Sequence, residues 1–135
     1  MTSSDDNNDT SAMTKPGNRG LRRLIAATVF SFKGFKAAWQ NEEAFRTEIM
    51  LAIVLVPTAF WLGQSTVERL LLLLSLILVI LAELANTAIE SVVDRISSEQ
   101  HPLSGQAKDL GSSLVFVTNM TVLLVWGMLG WDRFW

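Results

Sequence analysis

The sequence contains no cysteine and a single histidine, His101. Without cysteine, the chain can form neither a disulfide framework nor a metal site built on thiolates. With one histidine, it cannot build a multi-histidine metal site within one chain. Apolar residues are also scarce in the first twenty positions, although they make up 50% of the whole chain. The rest of the chain is therefore far more apolar than an ordinary globular domain.

The N-terminal segment, residues 1–19, is polar and contains three aspartates. It lacks the basic start and the apolar centre of a signal peptide. Because it carries too little apolar surface to bury, we predict that it is a disordered tail. The remaining residues, 20–135, are predicted to form a single membrane domain.

Residues 20–40 have a helical period that separates aromatic side chains from basic ones. Phe32, Phe35 and Trp39 fall on one face, whereas Lys33 and Lys36 gather on another. This distribution is typical of a helix that lies in the membrane interface. We therefore predict an amphipathic surface helix over residues 20–40.

Three apolar stretches follow, and a membrane span needs about 20 residues. We predict spans over about residues 45–62, 67–93 and 108–131. Pro57 lies inside the first span, where neighbouring helices can accommodate it. The expected fold class is thus an all-α membrane protein, with an N-terminal amphipathic surface helix plus three transmembrane helices.

The distribution of cations predicts the orientation of these spans. Seven of the eleven lysines and arginines lie between Lys15 and Arg46, and the loop before the third span adds Arg95 and Lys108. The first connection between spans has only Arg69, and the C-terminal end has only Arg133. We therefore expect a multi-pass membrane protein with a cytoplasmic N-terminus and with its C-terminus on the opposite side of the membrane.

Acidic and amide side chains lie at the cytoplasmic end of the second span. Glu83, Asn86, Glu90 and Asp94 are spaced three, four and four positions apart, so they share one helix face. Carboxylates inside a membrane are costly and are treated as functional by default. Such a stripe can also hold helices together, and a small proton or ion conductor would place acids in a membrane as well.

A third interpretation of the stripe is phosphoryl transfer. Carboxylates without histidine or thiolate suit a hard ion such as Mg²⁺, which keeps substrate phosphates among its ligands. Lys108 would then contact phosphates, and one carboxylate would remain as a base. The chain has no Walker A loop and no glycine-rich kinase loop, so a nucleotide would be held in another way.

Three segments carry a resemblance to a known family: "NEEAFRTE" from Asn41, "ELANTAIESVVDRIS" from Glu83 and "SGQAKDLGSS" from Ser104. In this order they closely resemble the prokaryotic diacylglycerol kinase family, from about Leu21 to the C-terminus. The resemblance implies an integral membrane homotrimer with three spans and a surface helix per chain, and with active sites between subunits. It implies transfer of the terminal phosphate of ATP to a lipid hydroxyl with Mg²⁺, so that residues 20–135 form a membrane kinase domain. Since the family is prokaryotic, the resemblance also implies a location in a bacterial inner membrane, with a periplasmic C-terminus. Nucleic acid is not an expected partner.

The resemblance also implies roles for individual residues. Glu83 is expected to be the catalytic base that takes the proton of the lipid hydroxyl, and Glu42 and Glu90 are expected to bind the metal. Asn86 is expected to support the base, and Asp94 to cap or orient a neighbouring group. The expected nucleotide-binding residues are Arg23, Phe30, Glu42, Glu90, Glu99, His101, Lys108 and Asp109. The expected lipid-substrate residues are Arg23, Thr28, Ala44, Phe45, Glu48, Glu83 and Ser112.

Several of these positions have other interpretations. Glu42 is four residues before Arg46, with which it could form an ion pair instead. Phe30 stands where the family commonly has tyrosine, so a stacking contact with the nucleotide survives but a hydroxyl contact does not. Asn119 matches no motif of the family and is assigned to helix packing.

The lipid substrate is the least determined expectation, because the family includes enzymes that prefer diacylglycerol and relatives that prefer undecaprenol. Glu48 resembles the diacylglycerol-preferring members and could hydrogen-bond the glycerol or ester region of the substrate. A polyprenyl chain offers no such group, so a buried acid there would only lose its hydration. We therefore expect diacylglycerol as the substrate and phosphatidic acid as the product, with undecaprenol as the alternative.

Overall fold

The structure is a computed structural model that describes residues 16–96 and 101–135, with side chains from residue 20 onward. Within these residues it is all-helical, as expected from the sequence. The four helices are α1 (Pro16–Asn41), α2 (Glu43–Leu62), α3 (Thr66–Ile96) and α4 (Pro102–Phe134). α1 begins before the predicted start at residue 20, and residues 1–15 of the predicted tail lie outside the described residues.

α1 starts with proline at its first position. Proline lacks an amide proton, and at this position an amide proton would have no hydrogen-bond partner within the helix. Most side chains between residues 20 and 36 are exposed, including the apolar Leu24 and Phe32. The Lys33 ammonium lies 5.6 Å from the centre of the Phe30 ring, within the range of a cation–π interaction. Among the described residues, 16–36 belong to one compact unit and those from Ala37 onward belong to another, and each unit is described by itself.

The other three helices are long and apolar enough to cross a membrane. They contain 20, 31 and 33 residues, and about 20 are sufficient to span the hydrocarbon core. α2 continues through Pro57. The three apolar helices of the expected fold class are thereby confirmed.

α3 is the central packing element of this unit, since α2 and α4 both pack mainly against it and only slightly against each other. The buried cluster consists of Ala59, Leu62 and Leu72, and Trp126 of α4 packs against it. The Trp126 indole donates a hydrogen bond to the Ser75 hydroxyl at 3.2 Å, and that hydroxyl donates to the Leu72 carbonyl at 2.7 Å. These bonds satisfy the polar atoms of a segment that no water reaches in a bilayer.

The turn between α2 and α3 fixes where α3 begins. The Glu68 amide donates to the Ser65 hydroxyl at 3.2 Å, and that hydroxyl donates to the Glu68 carboxylate at 2.9 Å. This pairing of a serine with a glutamate three residues later is a variant of the helix capping box. From Thr66 the helix rises about 1.5 Å per residue, which places Glu83 about 26 Å away, near the opposite end of the span.

Candidate active site

The polar stripe of α3 forms one continuous face that runs from a buried end to an exposed one. Glu83 is 6% exposed; Asn86 and Glu90 are half-buried, and Asp94 is exposed. The Asn86 amide donates a hydrogen bond to the Glu90 carboxylate at 3.2 Å. This bond orients Glu90 relative to Asn86, one helical turn away, so the two side chains present their polar groups together.

Asn86 lies where α3 and α4 approach each other closely. A Cβ atom built on Gly111 of α4 would overlap the side-chain oxygen of Asn86. That oxygen is buried and has no hydrogen-bond partner among the described residues. A larger residue at position 111 would therefore displace Asn86 or separate the helices. Gly111 lies within the segment "SGQAKDLGSS", but the family resemblance implies no role for it.

α4 brings a cation to the exposed end of the stripe. The Lys108 ammonium lies 2.6 Å from the Asp94 carboxylate, and both side chains are partly exposed. Asp109, the next residue, and Ser112, one turn further on, are exposed. The lysine thus stands beside the acids of α3, where a phosphate group would find a positive charge.

A fourth acid approaches the stripe from the start of α2. Glu42 is half-buried and lies between the end of α1 and the first residue of α2. The charges of Glu42 and Glu90 both act on the Glu83 carboxyl. Carboxylates this close repel one another unless a proton or a cation joins them, so the arrangement favours binding a cation.

Within residues 16–96 and 101–135, no group of three or more acidic or histidine side chains is arranged to hold a metal ion. Mg²⁺ does not need such a cage, because it is usually bound by one or two carboxylates together with substrate phosphates. Glu42 and Glu90 supply hard oxygen ligands, and the charges of both act on Glu83. These residues therefore fit a Mg²⁺ ion that arrives with a nucleotide.

Glu48 faces the interior of the helix bundle. It lines a cleft of about 100 Å³ that is formed by α2, α3 and α4, and Ala52 lines the same cleft. Asn119 of α4 lines the same cleft as Glu48. One Glu48 oxygen, Oε2, is buried without a hydrogen-bond partner among the described residues. The other residues that line the cleft are apolar, so Glu48 and Asn119 are its two polar residues.

The other expected lipid-binding residues of α2 do not share the direction of Glu48. Phe45 is only 2% exposed and Ala44 is exposed. The position of Asn119 beside Glu48 was missed, because sequence spacing within α4 does not reveal which residue of α2 it meets. An amide side chain within an apolar span was the available signal.

The remaining expected residues have surroundings of their own. Arg23, Thr28 and Phe30 are exposed on α1, in the unit that ends at Lys36, and the Thr28 hydroxyl donates to the Leu24 carbonyl of its own helix. His101 is the N-cap of α4, where its Nδ1 accepts a hydrogen bond from the Leu103 amide at 3.2 Å. Glu99 lies outside the described residues.

Comparison with known proteins gives a consistent result. The family described as prokaryotic diacylglycerol kinase matches residues 29–129. A diacylglycerol kinase of Haemophilus influenzae is 49% identical over 108 residues, which cover 80% of this chain and 92% of that protein. A diacylglycerol kinase of Escherichia coli is 45% identical over 115 residues, covering 85% and 94% of the two chains. One of Pseudomonas aeruginosa is 44% identical over 113 residues, covering 84% and 92%.

Proposed function

Because the chain belongs to the prokaryotic diacylglycerol kinase family, we propose that it transfers the terminal phosphate of ATP to the hydroxyl of diacylglycerol. The product is phosphatidic acid. The observation that carries this proposal is the buried Glu83 carboxyl, which lies within reach of the charges of Glu42 and Glu90 at one end of a membrane helix. Within residues 16–96 and 101–135 this carboxylate has no recorded hydrogen bond or ion pair, and a reacting hydroxyl would provide a partner.

Glu83 acts as the general base. The lipid oxygen forms a bond to the terminal phosphorus of ATP, the bond from that phosphorus to the bridging oxygen breaks, and ADP leaves. The proton of the lipid hydroxyl goes to the Glu83 carboxylate. Asn86 supports this geometry by holding Glu90 through the bond of 3.2 Å.

Glu42 and Glu90 hold the Mg²⁺ ion that accompanies ATP. A bound Mg²⁺ neutralises charge on the phosphates and aligns them for transfer. Lys108 contributes a second positive charge, and its ion pair with Asp94 holds the ammonium beside the stripe. The other residues that we assign to nucleotide binding are Arg23, Phe30, Glu99, His101 and Asp109.

The lipid substrate is recognised beside the base. We assign Arg23, Thr28, Ala44, Phe45, Glu48 and Ser112 to this contact, together with Glu83. Among them Glu48 has the clearest physical support, since its carboxyl has an oxygen without a partner in a cleft with apolar walls. Asn119 adds an amide that can donate to an ester carbonyl, a group that a polyprenyl alcohol lacks.

The experiment that tests the proposed function uses purified protein in lipid vesicles with Mg²⁺ and ATP labelled at the terminal phosphate. We expect the label in phosphatidic acid when diacylglycerol is present. If ATP is not consumed and ions leak from the vesicles, the protein is a conductor and the proposal fails. Label that enters undecaprenol in preference to diacylglycerol would retain the kinase and change its substrate.

We further propose that the protein works as a homotrimer in the bacterial inner membrane, with its N-terminus in the cytoplasm. The family resemblance supports the trimer, and the concentration of cations before α2 supports the orientation. Mass measurement of the detergent-solubilised protein tests the trimer, and labelling of a cysteine introduced at either terminus tests the orientation. A monomeric mass with full activity would refute the assembly while leaving the chemistry intact.

A further inference from the structure

The connection between α1 and α2 is one extended residue, Glu42. Its backbone angles are φ −112° and ψ 118°, whereas its neighbours Asn41 and Glu43 are helical. The Glu42 amide still donates to the Ala38 carbonyl at 2.9 Å, but the next bond, from the Arg46 amide to the Glu42 carbonyl, is stretched to 3.4 Å. The chain thus leaves one helix and enters the next at the residue assigned to Mg²⁺. We call residues 38–46 the elbow.

Arg46 closes this elbow with its side chain. Its Nη1 donates to the Trp39 carbonyl at 3.0 Å and to the Gln40 carbonyl at 3.4 Å. The last carbonyls of a helix have no partner within that helix, and a basic side chain near them satisfies both their hydrogen-bonding capacity and the helix dipole. α1 has no basic residue in its own last turn, so the cation comes from α2.

The alternative expectation for Arg46, an ion pair with Glu42, is not what the structure shows. Within the described part of the chain, the one recorded ion pair joins Lys108 and Asp94. The Glu42 side chain makes no capping hydrogen bond to α2 either. Arg46 therefore does not pair with the Glu42 carboxylate. The charge of that carboxylate acts on Glu83.

Packing holds the elbow from both sides. Ala38 and Phe45 are each only 2% exposed, so the residues that flank the break are anchored in the bundle. Between these anchors, backbone bonds are incomplete and the Arg46 side chain supplies the missing ones. A change at Arg46 would free the segment that carries Glu42 without removing any ligand.

We propose that Arg46 is a positioning residue that clamps the elbow and thereby fixes the Glu42 carboxylate opposite Glu83. The proposal rests on the proposed function, in which Glu42 holds Mg²⁺. Arg46 itself touches neither the metal nor the substrate. Its contribution is to keep a metal ligand in place, a role whose loss typically costs about 10- to 100-fold in metal affinity or activity.

The test combines an enzymatic readout with one that needs no metal. In Arg46→Gln, the half-saturating Mg²⁺ concentration should rise about tenfold, whereas kcat at saturating Mg²⁺ should largely recover. Amide hydrogen exchange of residues 40–45, measured in metal-free protein, should become faster. Arg46→Lys keeps a cation that can reach a carbonyl, so it should show a smaller change in both measurements. Arg22→Gln removes an exposed cation of α1 outside the elbow and should change neither.

A double variant separates positioning from general damage. In a Glu42→Gln background the ligand is already lost, so adding Arg46→Gln should raise the Mg²⁺ requirement little further. Equal effects of Arg46→Gln in both backgrounds would overturn the inference, as would an unchanged Mg²⁺ requirement in the single variant. If Arg46→Gln does not fold, Arg46→Lys decides by the same criteria. A wild-type protein that phosphorylates no lipid would refute the proposed function instead, and the exchange measurement would still report on the clamp.

Discussion

Lys108 of α4 and Asp94 of α3 form an ion pair with 2.6 Å between the Lys108 ammonium nitrogen and the Asp94 carboxylate oxygen. The pair joins two helices at the exposed end of the polar stripe, one turn beyond Glu90. Such a pair restricts the orientation of the flexible Lys108 side chain before a phosphate binds. In the proposed mechanism, Asp94 acts on the nucleotide through Lys108, whereas Glu42 and Glu90 are the proposed ligands of Mg²⁺.

Replacing Asp94 by asparagine should raise the KM for ATP about tenfold, in the range found for groups that orient a ligand-binding side chain. The value of kcat should change much less, because the base and the metal ligands remain. Steady-state kinetics with ATP varied at saturating lipid measure both constants. Arg95→Gln, which alters an exposed neighbour, is the matched control. An unchanged KM would mean that the pair only joins the helices.

Glu83→Gln should lower kcat by about 10²- to 10⁴-fold, the usual contribution of a general base. Glutamine has nearly the same shape but cannot accept the proton. Nucleotide binding should be largely retained, since Glu42, Glu90 and Lys108 are unchanged. Turnover assays and equilibrium binding of a labelled nucleotide measure the two properties separately. Glu43→Gln, at an exposed acid of α2, should be active, and an active Glu83→Gln enzyme would remove Glu83 from the role of base.

The sequence alone predicted most of the fold, because hydropathy and helical period act within one helix. Periodicity alone placed Glu83, Asn86, Glu90 and Asp94 on one face, and the structure agrees, since Asn86 bonds Glu90. The ends of the helices were less predictable. α4 begins at Pro102, before the apolar span, because His101 and Pro102 start a helix regardless of hydropathy.

Contacts between helices were the part that sequence could not provide. The spacing of four allowed an ion pair between Arg46 and Glu42 as an alternative, but the Arg46 side chain instead bonds the Trp39 and Gln40 carbonyls across the helix break. Asn119 was assigned to packing because it matches no family motif, and nothing in α4 indicates that it lines a cleft with Glu48. Both relationships depend on where separate helices lie in space, and residue spacing does not encode that.

Gly111→Ala should destabilise the protein by about 1–3 kcal/mol, the usual cost of inserting an extra methyl group into a tightly packed contact. The added Cβ would overlap the Asn86 oxygen, so activity should fall together with stability. Thermal unfolding in detergent and turnover measure the two effects. Gly127→Ala in the same helix is the control, because nothing lies within 4 Å of a Cβ at that position. Equal behaviour of the two variants would contradict the close approach of α3 and α4.

The cleft beside Glu83 offers a way to test which lipid alcohol the enzyme selects. Its walls are apolar except for Glu48 and Asn119, so the polar pair can distinguish only substrates that carry polar groups near the hydroxyl. Diacylglycerol carries ester carbonyls there, whereas a dialkyl glycerol ether and undecaprenol do not. A buried amide left without a partner costs about 1–3 kcal/mol, which is sufficient for measurable selection.

In mixed micelles that contain equal surface concentrations of the three alcohols, the wild-type enzyme should phosphorylate diacylglycerol fastest. In the wild-type enzyme, the Asn119 amide would be left unpaired when the ether lipid binds, since that lipid has no ester carbonyl. Leucine has no donor to leave unpaired, so Asn119→Leu should reduce the preference for diacylglycerol over the dialkyl ether about tenfold. Thr118→Val is the matched control, since the Thr118 hydroxyl donates only to carbonyls of its own helix. Its preference should equal that of the wild type. If the wild-type enzyme phosphorylates the ester and ether lipids at equal rates, the cleft does not recognise the ester carbonyl. If undecaprenol reacts fastest, the substrate is the polyprenyl alcohol, while the roles of Glu83, Glu42 and Glu90 stay as proposed.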